Sequence, residues 1–149
     1  MVSWSDLGEP EDSDGIIRAA DAGRPMLGGT MADRTILIIE DDELIAEVLA
    51  EMVEMMGHSV VGIAETEKKA IALAAETQPD FLICDVTLEE GSGIDAARAI
   101  CAARPIPHLF ASGDIARAKA ANPQAVVLEK PFKQGDVARA IEQAIAAFG

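Results

Sequence analysis

From Arg34 onward the sequence alternates between two hydrophobic periods, and that alternation constrains the fold more than any other feature. Thr35–Ile39 is a short, apolar, β-branched run, as expected of a strand buried on both faces. Residues 43–56 follow with Ile45, Val48, Leu49, Met52 and Met56 at helical spacing, and Gly57 as a stop. The alternation then repeats. Residues 59–63 read as a second strand. Thr66 offers an N-cap for a helix through Ala75, ended by Gln78-Pro79. Residues 81–84 form a third apolar run ending at Asp85. A Gly-containing loop over 89–93 leads into a helix over 94–103, stopped near Pro105. Residues 108–111 are the fourth strand, and an Ala-rich helix covers Ile115–Ala121. Residues 125–128 are the fifth strand. The last helix spans Gln134–Phe148, with Val137, Ile141, Ile145 and Phe148 as its apolar face.

Five short strands alternating with five helices predict an α/β domain with a parallel sheet covered on both faces. The fold class is a flavodoxin-like, doubly wound (βα)5 three-layer sandwich with a five-stranded parallel sheet. Sites in such folds form in the crevice beyond the carboxyl ends of the strands.

The first 33 residues do not share this pattern. They hold seven acids and two bases, punctuated by Pro10, Gly15, Gly23, Pro25, Gly28 and Gly29. Only residues 15–22 could hold a short helix. The stretch reads as an acidic, mostly flexible extension (1–33) ahead of one domain (34–149). Met31 is an alternative start, so residues 1–30 could reflect start-site choice.

Charge narrows the function classes. The 149 residues carry 26 Asp+Glu against 12 Lys+Arg, a formal net charge of −14. Binding to nucleic acid phosphate or to anionic lipid needs Lys and Arg, so both are excluded as expected partners. No apolar run approaches the roughly 20 residues that span a bilayer. The N-terminus shows no basic region before an apolar stretch, so no signal peptide is expected and the location reads as cytoplasmic. Cys84 and Cys101 lack metal-ligand spacing and read as buried, reduced thiols. His58 and His108 read as isolated, which argues against a His-based metal site. Five aromatic residues and no tyrosine leave no stacking platform for single strands.

The strand ends carry the chemistry. Strand one ends in Glu40-Asp41-Asp42, strand three in Asp85, strand four in Ser112-Gly113, and strand five in Glu129-Lys130-Pro131. Hard carboxylate oxygens suit Mg²⁺ or Mn²⁺, and Glu40, Asp41 and Asp85 could hold such an ion. Clustered acids repel one another, so a cation would relieve the site. This set fits phosphoryl transfer to a carboxylate. Asp85 would be the nucleophile, Lys130 would offset charge on the transferred group, and Ser112 could donate to a phosphoryl oxygen. The Lys130-Pro131 peptide is a candidate for the cis form.

At this point the chain resembles a family. Residues 35–148, about three-quarters of the sequence, are similar to the receiver domain of bacterial two-component response regulators. The resemblance rests on Ile36-Leu37-Ile38-Ile39-Glu40-Asp41-Asp42, Leu82-Ile83-Cys84-Asp85-Val86-Thr87-Leu88, Ala111-Ser112-Gly113 and Lys130-Pro131-Phe132. It implies that Asp85 is the phosphoacceptor and Asp41 a direct metal ligand. Glu40 is then the acid that reaches the ion through water, and Thr87 the position whose backbone carbonyl ligates it. Ser112 matches the switching hydroxyl and Lys130 the family's lysine. Asp42 reads instead as the first residue of the following helix, stabilised by its dipole.

Two departures stand out. Many receivers have an aromatic three positions before the lysine, where this chain has Val127. That puts the aromatic readout in doubt and leaves a valine packing a strand. Residues 107–113 are similar to receivers with a Phe-Ala-Thr-Gly signature, the FAT GUY type. These pair with histidine kinases of the HWE and related classes. Here Ser112 replaces the threonine, and Asp114-Ile115 stand where Gly-Tyr would follow. Gly113 and the Ala-rich stretch after it suggest a mobile fourth helix.

The expected function is a stand-alone response regulator, a signalling domain rather than an enzyme. It takes a phosphoryl group on Asp85 from a sensor histidine kinase or histidine phosphotransfer protein. Nothing after Phe148 could be an output domain, so the signal is expected to leave through protein contacts. A homodimer through the face made by the fourth helix, fifth strand and fifth helix is one option. Thr87 and Asp114 would border the path of attacking water. The alternatives are a pseudo-receiver, with the fold kept and the chemistry lost, and an aspartyl-phosphate phosphohydrolase. The hydrolase normally needs a second Asp two residues past the nucleophile, where Thr87 stands.

Overall fold

Four residues of the first strand, Ile36, Leu37, Ile38 and Ile39, have no solvent exposure. A run of that kind needs apolar cover on both sides, and the architecture supplies it. The structure is a computed structural model that describes residues 33–148. In chain order the elements are β1 (Thr35–Ile39), α1 (Glu43–Met55), β2 (Ser59–Ala64), α2 (Glu67–Thr77), β3 (Phe81–Asp85), α3 (Gly93–Ala103), β4 (His108–Ser112), α4 (Ile115–Ala121), β5 (Val127–Glu129) and α5 (Gln134–Phe148). The strands form one sheet in the order β2-β1-β3-β4-β5, with every pairing parallel. This is the flavodoxin-like arrangement that the alternation predicts. The expected extension lies outside the described residues except for Asp33, and so does its candidate helix at 15–22.

Strand side chains alternate between the two faces. Leu37, Ile39, Leu82, Cys84 and Phe110 pack with Ala70 and Ala74 of α2, with Ala96, Ala97 and Ile100 of α3, and with Ala118 of α4. The alternate residues, Ile36, Ile38, Ile83 and Leu109 among them, serve the other face, where α1 and α5 touch each other. Small alanines let α2 and α3 lie close to the sheet and to each other.

Element ends follow local chemistry. Thr66 caps α2 as expected, its Oγ1 accepting from the Lys69 N–H at 3.1 Å. That helix runs two residues beyond the expected Ala75, because Gln78 adopts a left-handed conformation (φ 51°) and closes it. Asp42 sits one place earlier than expected. It is the N-cap of α1 rather than its first residue, accepting from Leu44 N at 3.0 Å and Ile45 N at 3.2 Å. Ser92 caps α3 from the N–H of Asp95, so that helix begins at Gly93. The fifth strand is shorter and later than expected. The Ala125 N–H turns back to Asn122 O, leaving only Val127–Glu129 in the ladder. Gly57 stops α1 with φ 100°, a conformation that favours glycine.

Two side chains depart from the sequence reading. Cys84 is buried as expected, but Cys101 is only partly so. Its Sγ lies 3.7 Å from His108 Nδ1, so His108 is not isolated. His58 is buried, and its Nδ1 accepts the Arg34 N–H at 3.0 Å. That places its proton on Nε2, which has no partner among the described residues.

Burial lowers the His58 pKa, opposed by Asp33 and Asp80 and assisted by Arg34. A group with a depressed folded-state pKa favours folding above the unfolded value of about 6.5. That contribution is lost as pH falls below it. Between about pH 7.5 and 5.5 the wild type should lose more stability in urea unfolding than His58→Asn, whose side-chain oxygen can stand in for Nδ1. Equal losses would remove His58 as the cause.

Candidate functional site

The parallel register brings four strand ends to one edge. Ile39 pairs with Cys84, Asp85 with Ala111, and Ser112 with Glu129. Glu40 and Asp41 follow β1, Asp85 closes β3, Ser112 closes β4, and Lys130 follows β5. Each side chain is held by the rigid end of a buried strand, not by a long loop.

The acids converge. One carboxylate oxygen from each of Glu40, Asp41 and Asp85 lies within 4.8 Å of the other two. Glu40 is 2% exposed and Asp85 is 8% exposed, while Asp41 is half-buried. Lys130 reaches two members of the cluster. Its Nζ is 3.1 Å from Glu40 Oε1 and 3.3 Å from Asp85 Oδ1. The second oxygen of Glu40 accepts the Asp42 N–H at 3.1 Å. The Lys130-Pro131 peptide is cis.

The electrostatics show an imbalance. Burial pushes the Glu40 carboxyl up to about 7; the Asp42 N–H opposes this, Asp85 adds to it, and Lys130 opposes it. For Lys130, burial alone would lower the pKa, but attraction to Glu40 and Asp85 outweighs it and the net direction is up. Three acids share one ammonium in a partly dry pocket. Oxygen donors in excess of the available positive charge are what a hard divalent cation fits.

Ser112 stands at the neighbouring strand end, and its hydroxyl is occupied. Oγ donates to Asp114 O at 3.0 Å and accepts from Asp114 N at 2.9 Å. Thr87 follows Asp85 by two residues and is exposed. Its Oγ1 accepts from Arg117 Nη1 at 2.9 Å. Sequence reasoning missed Arg117, which it passed over as part of an Ala-rich helix. The available signal was a basic residue in the first turn of a helix that starts at the site edge. Val127 is half-buried against the core cluster, as a strand-packing residue would be.

The loop after β3 has its own supports. Ser92 N donates to Glu67 Oε1 at 3.2 Å, and Glu67 N donates to Glu90 O at 3.1 Å. Gly93 N donates to Val86 O at 3.2 Å. These bonds fix the loop that carries Thr87 against the start of α2.

Comparison with known proteins agrees with this geometry. The family described as response regulator receiver domain matches residues 36–142. The phyllosphere-induced regulator PhyR of Methylorubrum extorquens is 36% identical over 129 residues, covering 84% of this chain and 48% of PhyR. The solution structure of the receiver domain of PhyR from Erythrobacter litoralis superposes with a TM-score of 0.72 at 31% identity. That match covers 78% of this chain and 92% of the other. The anti-anti-sigma factor PhyR of Bartonella quintana, solved in complex with the anti-sigma factor NepR, matches at 40% identity and a TM-score of 0.51. It covers 52% of this chain and 32% of that one. This chain thus spans about half the length of the curated PhyR it matches. A strand-edge acid cluster with a lysine, on a five-stranded parallel sheet, with a family match over most of the sequence, places the chain in the response regulator receiver domain family of two-component signalling.

Proposed function

We propose that Asp85 accepts a phosphoryl group from a sensor histidine kinase, HWE-class kinases included, or from a histidine phosphotransfer protein. The observation that carries this reading is the Asp85 carboxylate set 3.3 Å from Lys130 and within 4.8 Å of the Glu40 and Asp41 oxygens. Receiver domains bind Mg²⁺ through acidic residues, and the donor set here fits Mg²⁺ or Mn²⁺. Asp41 and Asp85 would hold the ion directly, Glu40 through water, and the Thr87 carbonyl would complete the protein ligands. When bound, the ion offsets charge on the phosphoryl oxygens.

The chain's own groups account for the rest. An Asp85 oxygen attacks phosphorus, the phosphorus–nitrogen bond of the phosphohistidine breaks, and the imidazole leaves with the electron pair. Lys130 is positioned to balance charge gathering on the transferred group. Ser112 must exchange its bonds to Asp114 for one to a phosphoryl oxygen, which couples the start of α4 to the modification. We read residues 34–149 as the receiver and 1–33 as an extension. The signal leaves through protein contacts, with pairing of two copies through α4, β5 and α5 as one route. The NepR contact belongs to the Bartonella PhyR, of which this chain covers only 32%.

The test is incubation with acetyl phosphate and Mg²⁺, followed by intact mass. The protein should gain one phosphoryl group, and chelation should prevent it. A folded protein that gains none would mark a pseudo-receiver. Asp41→Asn should weaken Mg²⁺ binding by about tenfold or more, since it removes one charged ligand from the cluster. Unchanged affinity by titration calorimetry would take Asp41 out of the ligand set.

A further inference from the structure

One residue of α2 meets three consecutive residues of the loop after β3. Glu67 is the first residue of that helix. Its backbone N–H donates to Glu90 O at 3.1 Å. Its Oε1 accepts the Ser92 N–H at 3.2 Å. Between these two bonds, Gly91 lies bare against the Glu67 side chain. A Cβ built on Gly91, whose φ is 91°, would sit 2.5 Å from both Glu67 Cβ and Glu67 Oε1.

The bond to Ser92 bears on Thr87. The two residues face each other as an isolated antiparallel bridge. The bond beside that bridge joins their neighbours, the Gly93 N–H to Val86 O at 3.2 Å. In a pair of this kind the facing residues aim their own N–H and C=O groups away from each other. The Ser92 N–H therefore points out of the loop, where Glu67 takes it. The Thr87 carbonyl is not spent on Ser92 and stays free for another partner. Without Glu67 the Ser92 N–H loses its acceptor, and an unpaired N–H in a partly buried place is costly. A small rotation of the pair would then offer it the Thr87 carbonyl.

We propose that Glu67 is a positioning residue for the metal: by holding the Ser92 N–H it leaves the Thr87 carbonyl available to Mg²⁺ and strengthens binding of the ion. This rests on the reading that the Thr87 carbonyl ligates the ion together with Asp41 and Asp85. Mg²⁺ demands near-ideal octahedral geometry, so a carbonyl turned aside is lost as a ligand rather than stretched to fit. Glu67 acts through Ser92, not on the ion itself. Its carboxylate also carries charge, so the test must separate position from charge.

The test uses the full chain and Mg²⁺ alone, titrated by calorimetry. Glu67→Ala should bind Mg²⁺ about fivefold more weakly, the scale of one lost hydrogen bond. Glu67→Gln loses the charge but keeps an oxygen that can accept the Ser92 N–H. Its affinity should stay within about twofold of wild type. A second readout needs no metal. Amide hydrogen exchange at Ser92 in the metal-free protein should speed up in Glu67→Ala and stay slow in Glu67→Gln. Exchange at Ile38, buried in β1, should stay as slow as in wild type in both, which separates a released loop from a loosened fold. Equal weakening of Mg²⁺ binding in both variants would mean that charge alone is at work and would overturn the proposal. So would faster Ser92 exchange in Glu67→Ala with unchanged Mg²⁺ affinity, because Glu67 would then hold the loop without serving the metal. Wild-type protein that binds no Mg²⁺ removes the metal reading itself, and this inference with it.

Discussion

Asp85→Asn should abolish the phosphoryl adduct. The substitution keeps the shape of the side chain and its place at the end of β3, but the amide oxygen is a far poorer nucleophile. Among the described residues no other carboxylate is both as deep in the cluster and as close to Lys130 except Glu40, whose second oxygen is tied to the Asp42 N–H. After incubation with acetyl phosphate and Mg²⁺ the adduct should fall by about 100-fold or more. The variant should stay folded. It loses the 3.3 Å contact to Lys130, but it also removes one of three acids crowding a partly dry pocket. An undiminished adduct in Asp85→Asn would place acceptance elsewhere.

The second large effect concerns Gly93 and works through packing alone. A Cβ built on Gly93 would lie 1.9 Å from the Asp85 carbonyl oxygen and 3.2 Å from Cys84 Cβ. Both neighbours belong to β3, the central strand, whose five residues are all buried. A backbone carbonyl at that distance cannot be accommodated by turning a side chain. Either the start of α3 moves outward or the end of β3 moves inward, and the second choice displaces the acceptor. Gly93→Ala should therefore cost about 3 kcal/mol or more of stability, the range of overpacking at a rigid site. Urea unfolding reads this directly. Gly113→Ala is the matched control, because its Cβ would meet nothing within 4 Å. A Gly93→Ala midpoint equal to wild type would mean that α3 does not press on β3 as tightly as the structure has it.

The parts legible in the sequence were those encoded locally. The all-apolar run at Ile36–Ile39 and the spacing of Leu49 and Val53 fix strand and helix from neighbours alone. Glu40, Asp41, Asp85, Ser112 and Lys130 were legible because strand ends in a parallel sheet share one edge, so their order along the chain located them in space. What was missed depends on partners far away in sequence. Nothing near Arg117 announces Thr87, and nothing near Gly93 announces the Asp85 carbonyl. Cys101 and His108 are only seven residues apart, but they meet across the end of α3 and the start of β4, which neither local period describes. The shift of β5 has a smaller cause: the Asn122–Ala125 turn takes the Ala125 N–H that the ladder would have used.

The Glu40–Lys130 pair closes the site between residues 90 positions apart. During synthesis the three acids leave the ribosome well before the lysine that balances them. A nascent chain ending before residue 130 already holds Glu40, Asp41 and Asp85, with no ammonium to bring them together. The pocket thus lacks its balancing charge until the growing polypeptide has passed the fifth strand, with α5 still to follow.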